Sequence, residues 1–334
     1  MVEKKRARFL DIAKGVGILA IVLLHIEEGV LPGPVNVFIG SFMISLFFVT
    51  TGWLDAQRTE PLPLKELIRK RWKQLAVPYL WWSGLILLFD GMLWLFGYYD
   101  TYFISREVYK TFVLRGIGTL WFLPALFGGE IIWIWIRRKQ SLRLCLLVLA
   151  LTLVAQYFYG AVFNGATSNV MKIIQAPFYT INNILMAWIG IGGGFVFRKV
   201  FDMLHGATWS KGMLLLSGTV CCILAYGAAN HWPLPVAWGL GAPLLGPFGI
   251  LLLALALENS RCTDYLNYWG RNSMALMVTH YSFVMVACDI FHKWMFQEPK
   301  IVGYPAFAYF AVMMILEYFI AEYITKKHPH LVGK

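Results

Sequence analysis

A lysine and a histidine, Lys14 and His25, stand eleven residues apart in the first apolar run of the chain. At about 100° per residue that spacing returns to nearly the same helix face after about three turns, roughly 16 Å along the axis. Asp11 lies three residues before Lys14, on the same stripe. An imidazole titrates near neutral pH, so His25 can accept and return a proton during group transfer. Singly, each residue has a plainer reading: Lys14 as an interfacial lysine paired with Asp11, and His25 as a buried ring bonded to a carbonyl. Together, ionisable groups in a membrane helix are costly and mark function.

Other candidates are spread along the chain. Thr50 and Thr51 precede Gly52-Trp53 at the end of the second apolar run, where hydroxyls beside a glycine allow close helix packing. Arg69-Lys70-Arg71-Trp72-Lys73 gathers cations around an aromatic ring, which suits a phosphorylated, adenine-bearing ligand such as coenzyme A and equally an anionic-lipid anchor. Trp121 opens a later span that carries Glu130 at depth, as a structural partner for a buried base or as part of the site. His280 reads first as a packing or hydrogen-bonding histidine. Gly270-Arg271-Asn272-Ser273 ahead of it is a natural helix start, with Asn272 or Ser273 as cap. Glu317 and Glu322 are expected to pair with bases near the cytoplasmic side.

The elements that must position these residues are membrane helices. Hydrophobic residues make up 59% and charged residues 14% of the 334, with a mean hydropathy of +0.62, far from a soluble composition. Fourteen tryptophans and sixteen tyrosines suit interfacial belts. Cys145, Cys221, Cys222, Cys262 and Cys288 show neither metal-ligand nor disulfide spacing and read as small hydrophobes. The basic N-terminus with Lys4, Lys5, Arg6 and Arg8 resembles a signal peptide, but Glu27-Glu28 follows the apolar run in place of a small-residue cleavage site. It reads as a retained first helix.

Ten apolar stretches are long enough to span: 9–27, 37–56, 77–97, 119–136, 142–160, 179–197, 212–229, 239–257, 273–291 and 305–325. The all-α fold expected is a single ten-helix transmembrane domain over 1–334, both termini cytoplasmic. Segment 57–76, basic and amphipathic, is expected to lie on the membrane surface between helices two and three. With this topology 23 of the 29 Lys and Arg face the cytoplasm. Only Arg106, Lys110, Arg115, Lys172, Lys293 and Lys300 face outward. The charge of +11 is then a topology signal plus attraction to anionic lipid, with no case for nucleic acid. Small residues at Gly190, Gly192, Gly193 and Gly194 suit close helix packing.

In this order, the pieces resemble the acyltransferase 3 family of bacterial integral-membrane acyltransferases. The features are Phe9-Leu10-Asp11 with Lys14 and His25; Phe47-Phe48 with Thr51-Gly52-Trp53; Arg71 with Leu75, Pro78 and Tyr79; Leu120-Trp121-Phe122-Leu123-Pro124; and Gly270-Arg271-Asn272-Ser273 through Thr279-His280. The resemblance implies a multi-pass plasma-membrane enzyme. It takes an acyl group, often acetyl, from cytoplasmic acyl-CoA as donor substrate, with no tightly bound cofactor and no metal. The acceptor it implies is a hydroxyl of a cell-surface or lipid-linked glycan. The family histidine maps onto His25, and the basic positions map onto Lys14 and Arg71 as donor contacts, with Arg69 beside them. Thr51, Trp121, Glu130 and His280 are possible tunnel or supporting residues. Two positions depart: Thr51-Gly52-Trp53 stands where serine-glycine-phenylalanine is common, and Gln74 where a second basic residue often occurs. A different class remains open, a proton-coupled transporter or glycan exporter with Asp11, Lys14, His25, Glu130 and His280 as relay.

Overall fold

The computed structural model describes residues 7–26, 31–165, 167–231, 241–296 and 304–334. Lys4, Lys5, Arg6, Glu27, Glu28 and Lys300 lie outside them. The described residues form helices and connecting turns, with no strand among them. In chain order the helices are α1 (Arg8–His25), α2 (Gly33–Phe42), α3 (Ser45–Ala56), α4 (Leu64–Arg71), α5 (Val77–Leu95), α6 (Thr101–Phe112), α7 (Phe122–Lys139) and α8 (Leu142–Phe163). They continue as α9 (Asn169–Met203), α10 (Lys211–Ala229), α11 (Gly241–Ala256), α12 (Asp264–Arg271), α13 (Ser273–Thr279), α14 (Val286–Phe296) and α15 (Tyr304–Lys327).

Among the described residues, eight helices are long and apolar enough to cross a membrane, as fits a multi-pass integral membrane protein. Two of the ten expected spans fall outside that measure. In α1, Arg8, Asp11 and Lys14 interrupt eighteen residues, and α11 has only sixteen. Most span boundaries agree with the sequence reading to within a few residues, although α9 starts ten residues earlier than expected. Asp100, Ser141 and Ser210 cap α6, α8 and α10, each accepting from a backbone N–H three residues on. Asn272 does not cap α13; its amide turns back and donates to the Tyr268 carbonyl at 3.1 Å.

Segment 57–76 differs from the surface helix expected. From Leu64 it runs without a break into α5, as one 32-residue helix to Leu95. The cause lies at Pro78, whose missing N–H leaves the Gln74 carbonyl without its helical partner. A wide π-turn over Trp72–Ala76 absorbs the mismatch and lets the helix continue. A second π-turn, His280–Met285, joins α13 to α14.

The residues fall into two compact units. The first comprises the chain up to Arg58, Gly190–His280 and Val284–Glu322; the second comprises Thr59–Ile189, Tyr281–Phe283 and Tyr323–Lys334. In the first unit, Leu10, Ile12, Leu46, Val49, Trp53, Phe201 and Leu251 build the core. Two backbone approaches set its geometry. A Cβ at Gly52 would overlap the Ile191 carbonyl, and one at Gly194 would overlap that of Val49, so α3 and α9 cross nearly backbone to backbone. Gly15 meets Leu266 and Gly270 meets Asp11 in the same way, seating α12 against α1. Gly194 and Gly270 are thus packing residues, as are Gly190 and Gly193, which lie against Phe48 and Leu244. In the second unit, α5 packs on α6 and α4 packs on α7. Arg137 and Arg138, at the end of α7, donate to the carbonyls of Thr59 and Leu62 at 3.5 and 3.3 Å.

Candidate functional site

In the first unit, α1 carries the stripe read from sequence. Asp11 is buried and pairs with Lys14, Nζ to Oδ1 3.7 Å. At the far end of α1, half-buried His25 meets His280, which is fully buried. His280 Nε2 lies 3.3 Å from His25 Nδ1, with the rings tilted and their centroids 5.2 Å apart. The other His280 nitrogen, Nδ1, lies 2.7 Å from the Leu276 carbonyl.

That geometry fixes the proton positions of the neutral pair. A carbonyl only accepts, so Nδ1 of His280 carries the hydrogen and its Nε2 carries a lone pair. The lone pair asks His25 for a donor, and the facing atom is His25 Nδ1. The His25 ring also bonds the backbone of Ile21, four residues back. The basic nitrogen of His25 is then Nε2. His280, read first as a packing residue, is both that and the group that orients the His25 ring.

Next to His280, Thr279 donates to Glu317 Oε2 at 2.6 Å and to the Ala275 carbonyl at 2.9 Å. Glu317 is fully buried. Glu317, expected to pair with a base, meets the Thr279 hydroxyl, and Glu322 accepts from the Tyr268 hydroxyl at 3.0 Å. Thr50 and Thr51 both donate to the Phe47 carbonyl at 2.9 Å, so their hydroxyl hydrogens serve the helix. Trp53, in place of phenylalanine, fills a cage of Phe9, Phe197 and Phe201, with the Arg198 guanidinium 4.9 Å from its ring centroid.

In the second unit, Arg71 and Glu130 form an ion pair, Nη2 donating to Oε1. Glu130 is buried and Arg71 about a quarter exposed. Gln74, at the position where a second basic residue is common, accepts from Arg71 Nη1 at 2.8 Å. Glu130 and Gln74 together hold the guanidinium plane in one orientation. Arg69 and Lys70 are exposed beside it. Trp121 is half-buried, edge-on to Tyr179 with ring centroids 6.1 Å apart.

The chain belongs to the acyltransferase 3 family: the family's profile, described as an acyltransferase domain, matches residues 8–322, nearly its whole length. No curated protein and no solved structure matches the chain. The resemblance drawn from the motifs is thereby established, and with it membrane-bound acyl transfer as the class of activity.

Proposed function

We propose that the protein transfers an acyl group, acetyl in the simplest case, from acyl-CoA to a hydroxyl of an extracytoplasmic or lipid-linked glycan, with His25 as general base. The observation that carries this reading is the His25–His280 pair. It presents an oriented, neutral imidazole whose basic nitrogen is Nε2, as general-base catalysis at an alcohol requires. The donor, when bound, supplies an acyl carbonyl activated as a thioester and a thiolate leaving group. His25 Nε2 takes the hydroxyl proton as the oxygen bonds to the acyl carbon. It returns that proton to the sulfur as the C–S bond breaks. His280 keeps the ring in the working tautomer, much as a carboxylate orients other catalytic histidines.

Donor recognition falls to the cations. Arg69, Arg71 and Lys14 are the proposed contacts to donor phosphates, and Glu130 with Gln74 presents Arg71 as a fixed fork, the geometry that suits phosphate. The topology of the sequence reading puts these cations on the cytoplasmic side, where acyl-CoA is made. Purified protein given isotope-labelled acetyl-CoA and a glycan acceptor is expected to form labelled ester, and His25→Ala is expected to form it at least about a hundredfold more slowly. Ester formation near the wild-type rate in His25→Ala overturns the assignment, and glycan carried across a vesicle membrane unaltered, with no need of acyl-CoA, favours the transporter class.

A further inference from the structure

The topology read from sequence leaves six Lys and Arg on the outer side against 23 inside. Four of those six, Arg106, Lys110, Arg115 and Lys172, line one cavity of about 360 Å³ in the second unit. Cations set against the topological bias and gathered at one cavity need a reason beyond orientation. The size falls in the range of roughly 300–1,000 Å³ found for small-molecule sites.

The cavity is built. Glu107 is buried beneath it and takes both oxygens to Lys110 Nζ, at 2.7 and 3.0 Å, and one to Arg106 Nη2 at 2.7 Å. Its carboxylate fixes two of the four cations while leaving a positive excess, even with buried Asp90 nearby counted against it. Burial pulls the Lys110 ammonium below its ordinary range, against the opposing pull of Glu107. An incoming anion would relieve that cost. The remaining wall carries Tyr102, half exposed, and Tyr109, whose hydroxyl donates to the Ile173 carbonyl at 2.9 Å. Arg115 lies over the ring of Tyr179, guanidinium carbon 4.9 Å from its centroid, and Tyr179 in turn meets Trp121. Side-chain contacts thus link the cavity wall at Arg115, through Tyr179, to Trp121, a residue of the family motif.

Cations in fork and point geometry beside flat phenol rings match a sugar that bears a carboxylate or a phosphate. Resting on the reading of the chain as a glycan acyltransferase, we infer that this cavity holds the anionic group of an acidic saccharide acceptor. A lipid headgroup offers the same phosphate chemistry, so the test has to separate the two.

Full-length protein in nanodiscs of zwitterionic lipid is titrated by calorimetry with a glucuronic-acid-containing tetrasaccharide and with a neutral glucose tetrasaccharide. The acidic probe is expected to bind and the neutral one to bind at least tenfold more weakly. Lys172→Glu and Arg106→Gln are each expected to weaken the acidic probe by about tenfold or more, and Lys172→Arg to retain it. Lys172 is exposed, so its variants keep the test open should Arg106→Gln fail to fold. Equal affinity for both probes overturns the inference. So does displacement of the acidic probe when phosphatidylglycerol replaces the zwitterionic lipid, because the cavity would then be a headgroup site. His25→Ala is expected to bind the acidic probe as the wild type does while forming ester at least about a hundredfold more slowly. If the wild type also forms no ester with any acceptor, the glycan acyltransferase reading falls while the titration still decides the cavity.

Discussion

Two regions of the molecule handle buried polarity in opposite ways. Beside the family histidine, imidazole meets imidazole and the Thr279 hydroxyl meets the Glu317 carboxyl. Elsewhere buried carboxylates are matched by cations: Glu130 by Arg71 and Glu107 by Arg106 and Lys110 in the second unit, Asp11 by Lys14 and Asp55 by Arg58 in the first. A neutral imidazole keeps one lone pair free to accept a proton, so it suits proton movement. A pre-formed ion pair is poor at that and good at presenting a cation to an anion. On the proposed function, the contrast separates the group assigned the chemistry from the groups assigned to hold ligands.

The largest expected effect tests the neutral pair. His25→Ala should lower turnover by about 10²–10⁴, the usual contribution of a positioned base, while thermal unfolding of the detergent-solubilised protein stays near that of the wild type. Next comes the charged pair. Glu130→Ala leaves Arg71 without its carboxylate, which for a fully buried pair costs about 3–5 kcal/mol. Because Arg71 is partly exposed, about 1–3 kcal/mol is expected here, read as a lower denaturation midpoint with weaker coenzyme A binding. His280→Leu should lower kcat by about tenfold, the worth of one orienting hydrogen bond, while KM for the donor stays put. A parallel rise in donor KM would make His280 part of the binding surface and blur the comparison. Smallest of all, Thr51→Val should change stability by less than about 1 kcal/mol and leave transfer within a few-fold, since its hydroxyl serves the Phe47 carbonyl. A hundredfold loss of turnover there would give Thr51 a direct part in the reaction.

Local chemistry was legible in the sequence. Helix positions follow from apolar run length, and the Lys14–His25 stripe from helical periodicity within a single element. Partners were not. His25 and His280 are 255 residues apart, and Arg71 and Glu130 are 59 apart; nothing in either neighbourhood names the other. His280 looked like packing because its role depends on how α13 sits against α1, which the glycine approaches between α12 and α1 decide. The cations expected on the outer side were each visible, but only the folding of α6 toward the start of α9 gathers four of them at one cavity. Nothing in the composition distinguishes the π-turns; at Pro78 the missing N–H is the one local signal.

The unbroken helix from Leu64 to Leu95 has a mechanical consequence. Its 32 residues measure about 48 Å along the helix, against roughly 30 Å of hydrocarbon. The surplus of about 18 Å is a stretch of about twelve residues, enough to hold Arg69, Lys70, Arg71 and the π-turn. No hinge loop separates these cations from the span. A ligand that grips Arg69 or Arg71 therefore pulls on a rod. The other end of that rod turns, through residues 96–100, into the helix that carries Arg106 and Lys110.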